Sequence, residues 1–149
     1  MDAPPPTASD AESAPAVRVL CVDDNPDVAD SEVMLLQLTG FEARACYDGP
    51  AALAAVTEFR PAACLIDLNM PGMDGDEVAA RIRALPTGRE VVLVAVTAMG
   101  DDAARDRMTR AGFQLVLTKP VDPHDLLRVL DEIGWAWAGV ARSDPAQHG

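Results

Sequence analysis

Lysine is almost missing from this 149-residue chain: Lys119 is the single example, and every other basic side chain is arginine. Basic residues as a class are scarce, 12 against 24 acids, for a formal charge of −12. Nucleic-acid phosphates demand a basic face, so this balance excludes DNA and RNA as partners. No apolar run approaches the roughly 18–20 residues of a membrane span, which excludes a membrane-embedded protein. The start, Met1-Asp2-Ala3-Pro4-Pro5-Pro6, is acidic and proline-rich and lacks the basic and apolar regions of a signal peptide, so a cytoplasmic location is expected. Cysteine is sparse too. Cys21, Cys46 and Cys64 are unclustered, each within an apolar run, where free thiols serve as small hydrophobes. His124 and His148 have no Cys or His partner at ligand spacing. Finally, there is neither a Gly-x-x-x-x-Gly-Lys nor a Gly-x-Gly-x-x-Gly loop, which argues against a flavin or nucleotide carrier.

What is present is a hydrophobic fraction of 49% with near-neutral hydropathy, enough for one globular core. Residues 1–16 are Pro, Ala, Ser and Asp without periodicity and read as a disordered tail. Residues 17–137 read as one domain, and 138–149 as a loose C-terminal tail. Five strands are expected: 17–22, 42–46, 62–66, 91–96 and 113–117. Amphipathic helices lie between and after them. Asn25-Pro26 opens the first and Gly40 stops it, with Val33, Leu36 and Gly40 at buried spacing. Asp48-Gly49-Pro50 opens the second, whose face is Leu53, Val56 and Phe59. Asp74 and Glu77 form a capping box for the third. Asp101 begins the fourth. Asp122-Pro123 begins the fifth, with the stripe Leu126, Leu130, Ile133 and Trp137.

Strands alternating with helices imply a parallel sheet covered on both faces. Right-handed crossovers leave a few doubly wound orders. The flavodoxin-like order 2-1-3-4-5 makes strands one and three neighbours at the switch point, where such folds keep their sites. The strand ends carry complementary chemistry. Asp23 and Asp24 follow the first strand, Asp67 the third, Thr97 the fourth and Lys119 the fifth. Three crowded carboxylates repel one another unless a cation intervenes, and a hard divalent ion such as Mg²⁺ suits few carboxylates and several waters. Lys119 is a flexible point charge able to pair with a carboxylate and then with a phosphoryl oxygen. Metal, ammonium and hydroxyl together could hold a transferring phosphoryl group while a carboxylate attacks it.

Asp23-Asp24, the segment Asp67-Leu68-Asn69-Met70-Pro71-Gly72-Met73-Asp74-Gly75, Thr97-Ala98 and Lys119-Pro120 resemble, in order and spacing, the receiver domain of two-component response regulators. The resemblance covers about residues 17 to 135. It implies that Asp67 is the phosphoacceptor and Asp24 a direct Mg²⁺ ligand, with Asp23 holding the metal directly or through water. It implies that Asn69 contributes its backbone carbonyl, Thr97 a switch hydroxyl and Lys119 a phosphoryl contact, with a cis Lys119-Pro120 peptide. It further implies a histidine kinase or histidine phosphotransfer protein as donor and a downstream target protein as reader. One departure stands out: Val116 occupies the position, three before the lysine, where many receivers carry a Tyr or Phe switch.

The expected function is a stand-alone receiver that signals by protein contact and catalyses only its own phosphorylation and dephosphorylation, since no output domain fits after Trp137. A phosphate sink is an alternative. A haloacid-dehalogenase-like phosphatase is another, though that family wants an Asp two residues after its nucleophile and Asn69 stands there. Met99, with Asn69, is expected to flank the water that hydrolyses the phosphoryl group. Arg105, Arg107, Arg110 and Trp135 are expected on the signalling face.

Overall fold

The structure, a computed structural model, describes residues 17–98 and 102–142, with side chains over 17–98 and 105–133. The chain runs β1 (Arg18–Val22), α1 (Pro26–Leu38), β2 (Glu42–Cys46), α2 (Gly49–Phe59), β3 (Ala63–Asp67), α3 (Gly75–Ala84), a 3₁₀ turn (Pro86–Gly88), β4 (Val92–Thr97), α4 (Asp102–Ala111), β5 (Leu115–Thr118) and α5 (Pro123–Arg142). The strands form one parallel sheet in the order β2-β1-β3-β4-β5. This is the flavodoxin-like order, with β1 beside β3.

Side chains alternate across the sheet, and the alternation builds two cores. Leu20, Val22, Cys64, Ile66, Leu93 and Ala95 face α2, α3 and α4, meeting Val56, Ile82 and Met108. Val19, Cys21, Leu65, Val94 and Val96 face α1 and α5, meeting Leu36, Leu126, Leu130 and Ile133. Every residue of β3 is buried, as a central parallel strand with both faces covered requires. All three cysteines are free and buried, and burial holds the thiol of Cys46 up at about 11.

The punctuation follows local chemistry. The Asn25 side chain accepts from the Asp27 N–H at 3.0 Å ahead of Pro26, and Asp48 accepts from the Ala51 N–H at 2.8 Å. Gly40, at φ 101°, closes α1: its N–H donates to Gln37 O, while the Phe41 N–H donates to Leu36 O. Gly112, at φ 105°, closes α4 in the same way.

Four expectations need correction. Gly40 is exposed, and Ala29 takes its place with Leu36 on the buried face of α1, because a residue that turns the chain out of a helix leaves its packed face. Asp74 caps α3 by accepting from the Glu77 N–H, but the Asp74 N–H makes no return bond to the Glu77 carboxylate, which turns to Arg81 at 2.7 Å instead, so the capping box is half formed. β5 starts at Leu115, since Gly112 and Phe113 are spent on ending α4. Lastly, α5 extends through Arg142, past the boundary expected at 137, with no proline to interrupt the run before Pro145. The expectations for residues 1–16 and 143–149, for Met99 and Asp101, and for the side chains of Trp135 and Trp137 lie outside the described residues.

Candidate phosphoryl-transfer site at the carboxyl ends of the strands

β1 and β3 lie side by side and end together, pairing Val22 with Ile66. Their continuation brings Asp23 and Asp67 into contact range. Both are almost wholly buried, at 2% and 3% exposure, whereas the adjacent Asp24 is exposed. Successive residues at a strand tip point to opposite sides, so one of the acid pair is drawn inward and the other left at the rim. One ligand oxygen from each of Asp23, Asp24 and Asp67 can be chosen so that all lie within 4.8 Å of one another.

Backbone N–H groups orient the two buried acids. The Asn25 N–H donates to Asp23 Oδ1 at 2.9 Å, and the Asn69 N–H donates to Asp67 Oδ1 at 3.1 Å. Lys119 Nζ lies 3.2 Å from Asp67 Oδ1 and 3.5 Å from Asp23 Oδ2. It arrives there because the Lys119 N–H donates to Thr97 O at 2.8 Å, continuing the β4–β5 pairing, before a cis Lys119-Pro120 peptide turns the chain toward α5. Thr97 ends β4 and is buried beside this cluster of strand tips. Gly75 closes the loop after Asp67: its N–H donates to Leu68 O at 3.2 Å, and a Cβ there would lie 2.8 Å from Leu68 Cα.

Burial, and then the neighbouring Asp67, push the Asp23 carboxyl above its ordinary value, against the lowering effects of the Asn25 N–H and of Lys119. Burial works against the Lys119 ammonium, but the carboxylates of Asp67 and Asp23 outweigh it and hold the amine above its usual value. Three carboxylates and one ammonium carry a formal excess of two negative charges. All-oxygen donors with that excess fit a hard divalent cation.

One site neighbour escapes motif reading. Glu32 of α1 is largely enclosed, and burial, followed by Asp23, raises its carboxyl to about 7. Its signal was legible nonetheless: it stands three residues after Ala29 and four before Leu36, on the packed side of α1. With Lys119, Val28, Leu35, Val121 and Leu126 it lines an apolar groove of about 820 Å³ between α1 and the β5–α5 connection. Val116 packs against the core under α2, α3 and α4, with no aromatic ring in its place. Arg105, Arg107 and Arg110 are exposed on α4, and Arg107 reaches across to Asp76 of α3 at 2.5 Å.

The model of the response regulator receiver domain matches residues 19–131. An uncharacterized 14.6 kDa protein of Leptolyngbya boryana is 35% identical over 114 residues, covering 76% of this chain and 87% of that protein. The sensor protein GacS of Pseudomonas syringae is 36% identical over 137 residues, 90% of this chain but only 15% of GacS. Among solved structures, the receiver domain of sensor histidine kinase PA1611 from Pseudomonas aeruginosa superposes with a TM-score of 0.73 at 30% identity, covering 80% of this chain and 99% of that one. That structure has a magnesium ion coordinated in its active site cleft. No described helix is long and apolar enough to cross a membrane. The order of the strands, the acid cluster at their ends and these likenesses agree, and the chain belongs to the response regulator receiver domain family.

Proposed function

We propose that the chain accepts a phosphoryl group on Asp67 from a phosphohistidine of a kinase or phosphotransfer protein and passes the signal on by protein contact. The observation that carries this reading is the buried Asp67 carboxylate, held by the Asn69 N–H and by Lys119 Nζ at 3.2 Å, with Asp23 and Asp24 alongside. An Asp67 oxygen attacks phosphorus in line, the P–N bond of the donor breaks, and the imidazole leaves with its electron pair. Asp23, Asp24, Asp67 and the Asn69 carbonyl are the groups to hold Mg²⁺, which when bound neutralises charge on the transferring phosphoryl oxygens. Lys119 shifts from its two carboxylates to a phosphoryl oxygen, and Thr97 donates its hydroxyl to another.

The groove beside Lys119, apolar on its floor and open along α1, supports docking of a helical donor next to Asp67. Movement of Thr97 toward the phosphoryl group would be read at α4, β5 and α5, without an aromatic rotamer at Val116. A dehalogenase-like phosphatase reading lacks its acid: two residues beyond Asp67 stands Asn69, whose carboxamide cannot serve as the general acid or base that chemistry needs. Acetyl phosphate or phosphoramidate with Mg²⁺ should add about 80 Da, one phosphoryl group, to Asp67. Chelation should block the gain and Asp67→Asn abolish it. A wild-type mass gain in Asp67→Asn would remove the assignment, and continuous turnover of the donor would point to the phosphatase.

A further inference from the structure

At the opposite end of the strands lies a second hollow, of about 420 Å³. It opens between the Arg60-Pro61 turn leading into β3 and the segment 86–91 leading into β4. Six residues of strand at ~3.3 Å each separate Pro61 from Asp67, so the hollow is about 20 Å from the phosphoryl site. Pro61, Pro86 and Val91 give it apolar walls, and Arg60, Thr87, Arg89 and Glu90 give it polar ones.

Arg60 is the one non-glycine residue at positive φ among those described, at φ 53° and ψ 61°. It occupies the left-handed C-cap of α2, a place that glycine takes without steric cost. An arginine kept there gives up local stability, and backbone strain of this kind gathers at binding sites. The guanidinium of Arg60 and that of Arg89 make no ion pair or hydrogen bond with a described residue, in a chain with twice as many acids as bases. Only their backbones are engaged: the Arg60 N–H donates to Val56 O, and the carbonyls of Arg60 and Arg89 accept from Arg18 and Arg83. Thr87 Oγ1 is enclosed and has no hydrogen-bond partner.

The wall carrying Thr87 and Arg89 is also rigid. The Arg83 guanidinium donates to Gly88 O at 3.0 Å, to Arg89 O at 3.3 Å and to Val91 O. A Cβ on Gly88 would collide with the Ile82 carbonyl oxygen, so the segment has no slack.

We infer that this hollow binds a small phosphate monoester carrying hydroxyl groups. Two guanidinium forks match phosphate oxygens in a way a point charge does not, and even with Glu90 on the wall the lining keeps a formal charge of +1 toward an anion. Glu90, an acceptor only, calls for donors on the same ligand, which its hydroxyls provide. The carbon skeleton rests on Pro61, Pro86 and Val91. None of this depends on Asp67 or on a phosphodonor.

The test is amide-shift NMR on the full chain with ribose 5-phosphate, inorganic phosphate and ribose as probes, in EDTA so that the acid cluster holds no metal. Ribose 5-phosphate should shift the amides of Arg60 and of 87–91 in a saturable way, and ribose should not. Arg60→Gly should weaken that binding about tenfold or more through loss of a charged fork, while its melting temperature stays equal or rises because glycine accepts the left-handed backbone. Arg89→Gln should weaken binding likewise. The inference is overturned if no saturable shift occurs at those amides, or if shifts cluster only around residues 23–24 and 67–69. Wild-type affinity in Arg60→Gly overturns it as well. Equal affinity for inorganic phosphate overturns the assignment of an ester.

Discussion

Glu32 offers a direct measure of how strongly the acid cluster pulls on its surroundings. Its carboxyl stands at about 7 instead of 4.5, raised first by burial and then by Asp23, with Lys119 opposing and Asp67 adding. A raised acid in the folded state means that the native chain keeps a proton the unfolded chain releases. Stability is therefore full below the ordinary glutamate range and falls as pH rises toward about 7. At about 1.4 kcal/mol for each tenfold in proton affinity, the loss is on the order of 3 kcal/mol. Glu32→Gln carries no proton to lose. Urea unfolding of both chains in EDTA, from pH 4.5 to 8.5, should show a gap that opens with pH. The variant gains ~1–3 kcal/mol over the wild type by pH 8, relative to the difference at pH 4.5. Saturating Mg²⁺ at the neighbouring carboxylates should narrow the gap, since a nearby cation favours the ionised form. A gap that is the same at every pH would refute the reasoning and leave Glu32 an ordinary surface acid.

Three further outcomes are expected. Mg²⁺ should stabilise the folded chain, by about 2.7 kcal/mol at one hundred times its dissociation constant, and Asp24→Ala should move that dependence to higher Mg²⁺, read as melting temperature against MgCl₂. Arg83→Ala should cost ~2–4 kcal/mol in urea unfolding, because one guanidinium serves the carbonyls of Gly88, Arg89, Val91 and Gly112 and the Gln114 side chain. An ordinary surface arginine would change stability by only a few tenths of a kcal/mol. Gly75→Ala should cost ~1–3 kcal/mol and slow phosphoryl acceptance from phosphoramidate, since its Cβ would sit 2.9 Å from the Asp67 carbonyl oxygen; unchanged stability would show that the loop has slack.

Much of this protein is written locally. Apolar runs ending in Asp23-Asp24, Asp67, Thr97 and Lys119 can be read along the chain, because a strand buries its body and presents its tip. The helix starts at Asn25, Asp48 and Asp74 are equally local, each resting on a side chain and an N–H two or three residues away. Residues distant in sequence meet only once the sheet is assembled. That Asp23 is buried while Asp24 stays exposed depends on which way the tip of β1 faces. Arg83 becomes a clip because the start of β4 and the end of α4 present carbonyls at one point. Arg60 and Arg89, nearly thirty residues apart, share a hollow because β3 and β4 are neighbours in a parallel sheet, so the turns entering them lie at the same edge. Periodicity reports which face a residue takes, since that is set within a few peptide units. It does not report which strand lies alongside, because hydrogen bonding between strands is indifferent to their separation along the chain.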